Sequence, residues 1–205
     1  MYRLYGSLGS GSVSVEAALA EAGAQYEVLA TNTGEGKHLT EEYKAINPRQ
    51  QVPALQLPDG SVMTEGSAMM LHLADAFPDA RLAPAPGSSA RAQHDRWLIF
   101  MAVNIYEGEL RKAYADRYST DAGHAPAVQE CAAGYVNRHY DILEAAIKGP
   151  FLFGDQMTMA DIYLWMLAGW MEPAWLAAHC PKVAALAGTV RERPLIAPID
   201  AAHFG

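Results

Sequence analysis

Cysteine is scarce in this sequence, and long apolar runs are missing from it. The two cysteines among its 205 residues are Cys131 and Cys180. They form no Cys-x-x-Cys pair and no metal-ligand spacing, so we predict reduced thiols and no metal site. No apolar run approaches the roughly 18 residues that a membrane-spanning helix needs. Residues 1–6 also lack the basic start and apolar continuation of a signal peptide. These absences predict a cytoplasmic protein with no membrane partner.

Positive charge is in short supply as well. Lysine and arginine total 15 against 23 aspartates and glutamates, which gives a net charge of −8 and an isoelectric point near 5.3. Binding to nucleic acid needs clustered lysine and arginine side chains that neutralise phosphates. We therefore predict no nucleic-acid partner. Hydrophobic residues, in contrast, make up 51% of the chain, which is ample for a buried core.

The segment 47–75 organises the rest of the chain. Residues 52–57 read as a short strand, and Pro53 must lie at its start or edge because proline cannot donate to a ladder. Asp59-Gly60 is typical of a hairpin turn, and residues 61–64 form the returning strand. Apolar residues then recur at helical spacing from Ala68 to Phe77. The segment predicts a strand, a tight hairpin, a second strand and a helix.

The residues before this segment predict a βαβ unit. Residues 2–5 and 26–29 read as strands, and a helix lies between them from Val13 to Ala22. A polar stretch with a short helix near residues 41–45 leads from there to the hairpin. The first domain is therefore predicted over residues 1–80, with the order βαβ–ββα. Residues 81–89 are rich in proline, glycine and serine and are predicted to form a linker.

Residues 90–205 contain no strand pattern, so we predict an all-helical bundle domain. One long helix starts near Ala90 and continues to Tyr118, and a second spans residues 125–147. Thr158 and Asp161 form a capping box in front of an apolar helix. The last helix is predicted to end before Pro194, followed by a short tail. The tryptophans at positions 165, 170 and 175 are interpreted as packing residues.

Several short motifs, taken in order, resemble the glutathione S-transferase family. They are Asn-Pro-x-x-x-Val-Pro-x-Leu from Asn47, the Asp-Gly turn, Thr-Glu-x-x-Ala from Thr64, and Gly-Asp followed by Thr-x-x-Asp from Gly154. The resemblance covers essentially the whole chain. It implies a thioredoxin-like N-terminal domain and an all-helical C-terminal domain. It also implies a cis Val52–Pro53 peptide bond.

What the resemblance implies about function is conjugation of the glutathione thiolate to small apolar electrophiles. Glutathione would be a co-substrate, and neither a metal nor another cofactor is implied. Members of the family are usually homodimers, which makes a homodimer the expectation for this chain. Two alternatives stay open. One is a glutathione-dependent isomerase or reductase, and the other is a non-catalytic protein that binds glutathione or another ligand on the same fold.

In the family, the residue that stabilises the thiolate lies in the loop before the first helix. This loop contains no cysteine, and its serines are Ser7, Ser10, Ser12 and Ser14. Alignment with serine-type members favours Ser10. Ser12 is the alternative, because one inserted residue would exchange the two positions.

The glutathione contacts implied by the resemblance come from three segments of the first domain. Glu65 would pair with the ammonium of the γ-glutamyl end, and the start of the following helix would bind its carboxylate. Many members have Glu-Ser here, whereas this chain has Glu65-Gly66 followed by Ser67. Gln50 or Gln51 would reach the glycyl carboxylate together with His38, with Lys37 as another possibility. The predicted contacts are His38, Gln51, Val52, Pro53, Glu65, Gly66 and Ser67. For the electrophile, the long helix supplies Tyr106, Arg111 and Tyr114.

Overall fold

The computed structural model describes all 205 residues, and its first half is built on a four-stranded sheet. The strands are β1 (Tyr2–Gly6), β2 (Tyr26–Ala30), β3 (Ala54–Gln56) and β4 (Val62–Met63), arranged in the order β2-β1-β3-β4. β1 runs parallel to β2 and antiparallel to β3, and β3 is antiparallel to β4. This mixed sheet is the one expected from the βαβ–ββα order, which is confirmed.

Three helices accompany the sheet: α1 (Ser12–Glu21), α2 (Glu41–Ile46) and α3 (Gly66–Ala76). α1 packs against both β1 and α3. α2 begins where the Thr40 hydroxyl accepts a hydrogen bond from the backbone N–H of Tyr43 at 3.3 Å, an ordinary N-cap. The sheet and helices place the starts of α1 and α3 on the same side of the domain, where the cavity described below opens.

The second half is all-helical, as predicted. It contains seven α-helices: α4 (Ser89–Phe100), α5 (Glu107–Ala113), α6 (Ala125–Ala146), α7 (Met159–Ala168), α8 (Pro173–His179), α9 (Pro181–Arg191) and α10 (Ala197–Phe204). Residues 81–88 hold no helix or strand. The domain bounds 1–80 and 90–205 are consistent with this description and stay a prediction.

Two parts of the helical prediction were wrong. The long helix does not run unbroken to Tyr118, because a π-helical stretch (Met101–Tyr106) separates α4 from α5 and α5 ends at Ala113. The tail after Pro194 is not a bare end, because it forms α10. That helix is held by contacts distant in sequence: Trp165 donates its indole N–H to Asp200 at 2.9 Å, and the Phe204 ring covers Gly169. Neither contact leaves a local pattern in the sequence.

α7 forms the centre of the core. All ten of its residues are buried, and it packs against α1 of the first half and α9 of the second. The predicted capping box is present: Asp161 accepts hydrogen bonds from the backbone N–H and the hydroxyl of Thr158, both at 2.7 Å. Its other carboxylate oxygen accepts from the Leu152 N–H at 2.7 Å. The box therefore fixes the start of the helix on which both halves pack.

A second link between the halves is ionic. Arg91 in α4 donates two hydrogen bonds to the Asp75 carboxylate in α3, at 2.7 and 3.2 Å. This guanidinium lowers the pKa of Asp75. No helix of the protein is sufficiently long and apolar to cross a membrane.

Candidate active site

A cavity of about 550 Å³ lies between the two halves of the chain. The first half contributes the loop after β1, the segment before β3 and the start of α3. The second half contributes residues from the π-helical stretch to the 3-10 turn after α5, together with two aromatic residues, Tyr163 and Trp170. Polar and charged side chains outnumber hydrophobic ones in its walls. The cavity therefore suits a polar ligand along one wall and leaves an aromatic surface on the other.

The structure separates the two candidate serines. Ser10 lines the cavity, whereas Ser12 is 2% exposed and lies outside the lining. The Ser12 Oγ is 3.1 Å from the Ser7 carbonyl oxygen, to which it donates, and it accepts from the Ser7 N–H at 3.2 Å. Ser12 thus stabilises the loop through hydrogen bonds to the Ser7 backbone and does not face the cavity.

The Ser10 hydroxyl donates to the Ser7 carbonyl, so a ligand at the cavity wall receives its proton only by replacing that acceptor. The Ser10 Oγ lies 2.7 Å from the Ser7 carbonyl oxygen and 2.9 Å from the Ser12 Oγ. The Ser12 hydroxyl donates to the same Ser7 carbonyl, so the two hydroxyls and this carbonyl form one hydrogen-bond network. Chains of hydrogen bonds of this kind polarise one another. Ser10 is accordingly set up as a hydrogen-bond donor at the cavity wall.

Glu65 begins the wall formed by α3. It lies at the N-cap position with φ of 67°, a left-handed conformation that is rare for residues other than glycine. Its carboxylate accepts a hydrogen bond from Arg49 at 2.6 Å, and both side chains are more than half exposed. Gly66 and Ser67 follow in the first turn and also line the cavity. The arrangement puts a carboxylate beside a helix N-terminus, where the free N–H groups favour an anion.

The Val52–Pro53 bond is cis, as the motif predicted. The preceding Gln51 carbonyl accepts hydrogen bonds from the Tyr43 hydroxyl and the Asn47 amide, both at 2.7 Å. Val52 itself lies outside every strand and takes part in none of the backbone hydrogen bonds of the loops and turns. Its N–H and C=O are therefore free to pair with an extended ligand.

The residues predicted to reach a glycyl carboxylate divide into two groups. His38, Gln50 and Gln51 line the cavity, and the Nδ1 of His38 is buried without a hydrogen-bond partner. Buried polar atoms normally have partners, so an unpaired one at a cavity wall is consistent with a ligand contact. Lys37 lies outside the lining and instead pairs with Glu35 at 3.1 Å.

The opposite wall contains two of the three residues expected there. Tyr106 and Tyr114 line the cavity, but Arg111 does not. The Arg111 Nε donates to the Glu107 carbonyl at 3.2 Å, and its guanidinium lies 5.3 Å from the centre of the Tyr135 ring on α6. The structure thus turns Arg111 away from the cavity.

Tyr106 is a partly buried phenol at this wall. Its ring stacks on Tyr163 with centroids 6.4 Å apart, and Trp170 meets it edge-on at 5.2 Å. A Cβ added at Gly11 would collide with the Tyr106 hydroxyl, so the phenol lies directly against the start of α1. Burial and the nearby Glu107 carboxylate raise the pKa of Tyr106 to about 12. Tyr106 therefore remains a hydrogen-bond donor at neutral pH.

Both halves of the chain match known protein families. The family model for the glutathione S-transferase N-terminal domain matches residues 12–76, and the model for the C-terminal domain matches residues 109–193. Glutathione S-transferase GstA of Escherichia coli O157:H7 is 33% identical over 158 residues, which cover 75% of this chain and 74% of that protein. The chain belongs to the glutathione S-transferase family.

Other relatives of this transferase-family chain differ in their named activity. Maleylpyruvate isomerase of Ralstonia sp. is 29% identical over 147 residues, covering 69% of this chain and 68% of that enzyme. The crystal structure of a glutathione transferase homologue from Sulfitobacter, with bound glutathione, superimposes with a TM-score of 0.91 at 25% identity. It covers 100% of this chain and 99% of that one. The expected two-part fold is therefore confirmed.

Sequence reasoning missed several cavity residues of this family member. Trp170 was interpreted as packing, yet it lines the cavity and donates its indole N–H to the Gly9 carbonyl at 3.0 Å. Lys112 and Arg117 also line the cavity, in the region where Arg111 was expected. Arg49 carried no motif of its own. In the sequence, the only feature that marked these residues was their aromatic or basic character. They reach the cavity through tertiary packing, which leaves no local pattern.

Proposed function

We propose that this chain is a glutathione transferase that adds the glutathione thiolate to small apolar electrophiles. The observation that carries the proposal is the cavity, which brings together the Ser10 hydroxyl, the unpaired Val52 backbone groups and the start of α3 beside Glu65. In this arrangement Ser10 faces the sulfur, Val52 pairs with the cysteinyl backbone and Glu65 faces the γ-glutamyl ammonium. His38 and Gln51 lie at the glycyl end, where they receive the second carboxylate.

The chemistry requires a thiolate. A free thiol has a pKa of about 8.5 and is mostly protonated at neutral pH. A hydrogen bond from Ser10 and the dipole of α1 both stabilise the charged sulfur and lower that pKa. The thiol proton leaves to solvent, and the sulfur electron pair forms the new C–S bond. On the electrophile, a leaving group departs or negative charge builds up, and the Tyr106 O–H is placed at the same wall to donate to it.

A glutathione-dependent isomerase is the second candidate. Two observations favour it: the Ralstonia relative is named for that activity, and Arg117 lines the cavity without a carboxylate partner. An unpaired guanidinium suits a carboxylate on the substrate. A cysteine-dependent reductase is disfavoured, because Cys131 and Cys180 both lie outside the cavity lining.

The proposal is tested by binding and turnover on the same preparation. Calorimetry should detect glutathione binding, and an activated aryl chloride should be conjugated with release of chloride. Maleylpyruvate should be isomerised slowly or not at all. Isomerisation without conjugation would select the second candidate. Binding with neither reaction, across aryl halides and unsaturated carbonyl compounds, would instead indicate a non-catalytic binding protein.

Replacing Glu65 with glutamine should weaken glutathione binding by about tenfold, because the ammonium loses a charged hydrogen-bond partner. The change also frees Arg49, which holds the Glu65 carboxylate at 2.6 Å. Calorimetry of the parent and Glu65→Gln measures the difference. Glu107→Gln, which neutralises another carboxylate of the cavity, is the control and should leave glutathione affinity unchanged. Equal affinity in Glu65→Gln and the parent would remove Glu65 from the site.

Gly66→Ser should tighten glutathione binding by about threefold to tenfold, since it adds a hydroxyl donor beside the γ-glutamyl carboxylate. A Cβ at position 66 would lie 3.6 Å from the Tyr163 ring, an ordinary contact, so the serine fits. Gly66→Ala fills the same space without the hydroxyl and serves as the matched control. If calorimetry gives the same affinity for the serine and alanine variants, the carboxylate does not lie at this turn.

We also propose that the chain forms a homodimer. Ile99 and Val103 are 45% and 54% exposed and lie four residues apart at the end of α4 and in the π-helical stretch. Members of the family are usually homodimers, and these exposed apolar side chains are where we expect the contact with a second copy. Sedimentation velocity at micromolar concentration should give about twice the monomer mass of 22.2 kDa, and a monomer at that concentration would refute the proposal.

A further inference from the structure

The loop that carries Ser10 is held from two sides by the second half of the chain. The Gly9 carbonyl accepts the Trp170 indole N–H at 3.0 Å, and the Gly9 N–H donates to the His203 Nδ1 at 3.2 Å. Gly9 has φ of 67°, a conformation in which glycine is unstrained. Both polar backbone groups of the residue before Ser10 are thus bonded to side chains 161 and 194 residues away.

His203 makes a second contact that fixes its tautomer. Its Nε2 lies 3.2 Å from a carboxylate oxygen of Glu16 in α1. The carboxylate accepts a hydrogen, so the ring proton lies on Nε2 and Nδ1 keeps the free lone pair that the Gly9 N–H requires. A doubly protonated ring has a hydrogen on Nδ1 and cannot accept from Gly9. Glu16 and Gly9 therefore define one orientation and one protonation pattern of His203.

The helix that presents His203 is anchored independently of this contact. In α10, Asp200 accepts hydrogen bonds from the Trp165 indole N–H at 2.9 Å and from Arg191 at 3.2 Å. Ile199 is buried in the core, and the Phe204 ring packs edge-on against Trp165. Loss of the imidazole would leave α10 docked. The hydrogen bond from Gly9 to His203 therefore holds the loop before α1 and is not needed to hold α10.

We propose that His203 is a positioning residue for the thiolate site: together with Trp170 it fixes Gly9 and thereby the direction of the Ser10 hydroxyl. The inference rests on the proposed role of Ser10 in glutathione activation. Ser10 is joined to Gly9 by one peptide bond, and its Oγ must meet the sulfur within hydrogen-bond distance. With the Gly9 N–H released, the loop backbone samples positions that carry the Ser10 Oγ away from the place at the cavity wall that it has in this structure. The C-terminal helix then contributes to catalysis without touching the substrate.

The test compares two replacements of His203. His203→Leu removes the acceptor, whereas the Oδ1 of His203→Asn is placed like Nδ1 and accepts from the Gly9 N–H. We expect the leucine variant to have a kcat for conjugation about fivefold lower than the parent, because losing one neutral hydrogen bond has an effect of about this size. In this variant the ionised fraction of bound glutathione should fall together with kcat. Thiolate absorbance measured across pH gives that fraction. Glutathione affinity should change by less than about twofold, because the variant leaves the proposed peptide contacts at Val52, Glu65 and the start of α3 unchanged. The asparagine variant should recover most of both losses.

Three comparisons separate this inference from a structural effect and from the proposed function. Asp200→Asn weakens the anchoring of α10 without touching Gly9 and should lower the melting temperature while leaving thiol ionisation as in the parent. Trp170→Phe keeps an aromatic ring but removes the indole N–H donor, and should lower thiol ionisation as His203→Leu does. If His203→Leu leaves kcat and ionisation unchanged while Ser10→Ala lowers both, the inference fails and the proposed function stands. If Ser10→Ala changes neither quantity, the proposed role of Ser10 fails. Equal losses in the leucine and asparagine variants would also overturn the inference.

Discussion

Ser10→Ala should lower kcat/KM for conjugation by about 10-fold to 100-fold, since a hydrogen bond to a charged group contributes roughly 1.5–3 kcal/mol. Glutathione should still bind, because the contacts proposed at Val52 and the start of α3 remain. The pKa of the bound thiol should rise toward its value in water, which shifts the rising limb of the pH–rate profile to higher pH. Steady-state kinetics from pH 5.5 to 9, with the absorbance of bound thiolate, measure both effects.

Ser12→Ala is the matched control for this result. Ser12 is buried and supports the loop through its bonds to the Ser7 backbone at 3.1 and 3.2 Å. We expect a lower melting temperature and a smaller loss of rate, because the Ser10 hydroxyl loses the neighbouring Ser12 hydroxyl but keeps its place at the cavity. Should Ser12→Ala abolish thiol ionisation while Ser10→Ala leaves rate and pKa unchanged, the two serines would have exchanged roles.

Asp161→Ala should destabilise the protein by about 3 kcal/mol or more, because three hydrogen bonds to one buried carboxylate are lost together. The side chain is fully buried, and its partners are the Leu152 N–H and the N–H and hydroxyl of Thr158, each at 2.7 Å. Burial raises the pKa of Asp161, and these donors oppose the shift. For a chain of this size the melting temperature should fall by roughly 6–12 °C, measured by calorimetry or circular dichroism.

Two variants sharpen the stability prediction. Asp155→Ala removes an exposed carboxylate six residues earlier and should leave the melting temperature within about 1 °C of the parent. Asp161→Asn keeps the volume but points an amide N–H₂ toward groups that are themselves donors, so it should recover little of the loss. A melting temperature for Asp161→Ala equal to that of Asp155→Ala would show that the capping box is not what fixes α7.

The sequence by itself determined those parts of the protein whose causes lie within a few residues. Asp59-Gly60 predicted the hairpin, because Gly60 takes φ of 90° and the Asp59 carboxylate accepts from the Ser61 N–H at 2.9 Å. Thr158 and Asp161 predicted the start of α7 through contacts three residues apart. Periodicity gave the helical second half for the same reason, since an apolar face repeats every turn. The resemblance carried by the motif at Val52–Pro53 predicted the cis bond, which the structure contains.

Only the tertiary structure decided which of these residues meet at the cavity. Ser10 and Ser12 are the same residue type in the same loop. They differ because the folded loop buries Ser12 and leaves Ser10 at the cavity wall. Arg111 was expected at the cavity, but it faces Tyr135 on α6, a partner that no local pattern specifies. The contacts of Trp170 and His203 with Gly9 close loops of 161 and 194 residues. Hydrophobic periodicity records which face of a helix is buried but not what lies against it, so such contacts become visible only when the halves are packed together.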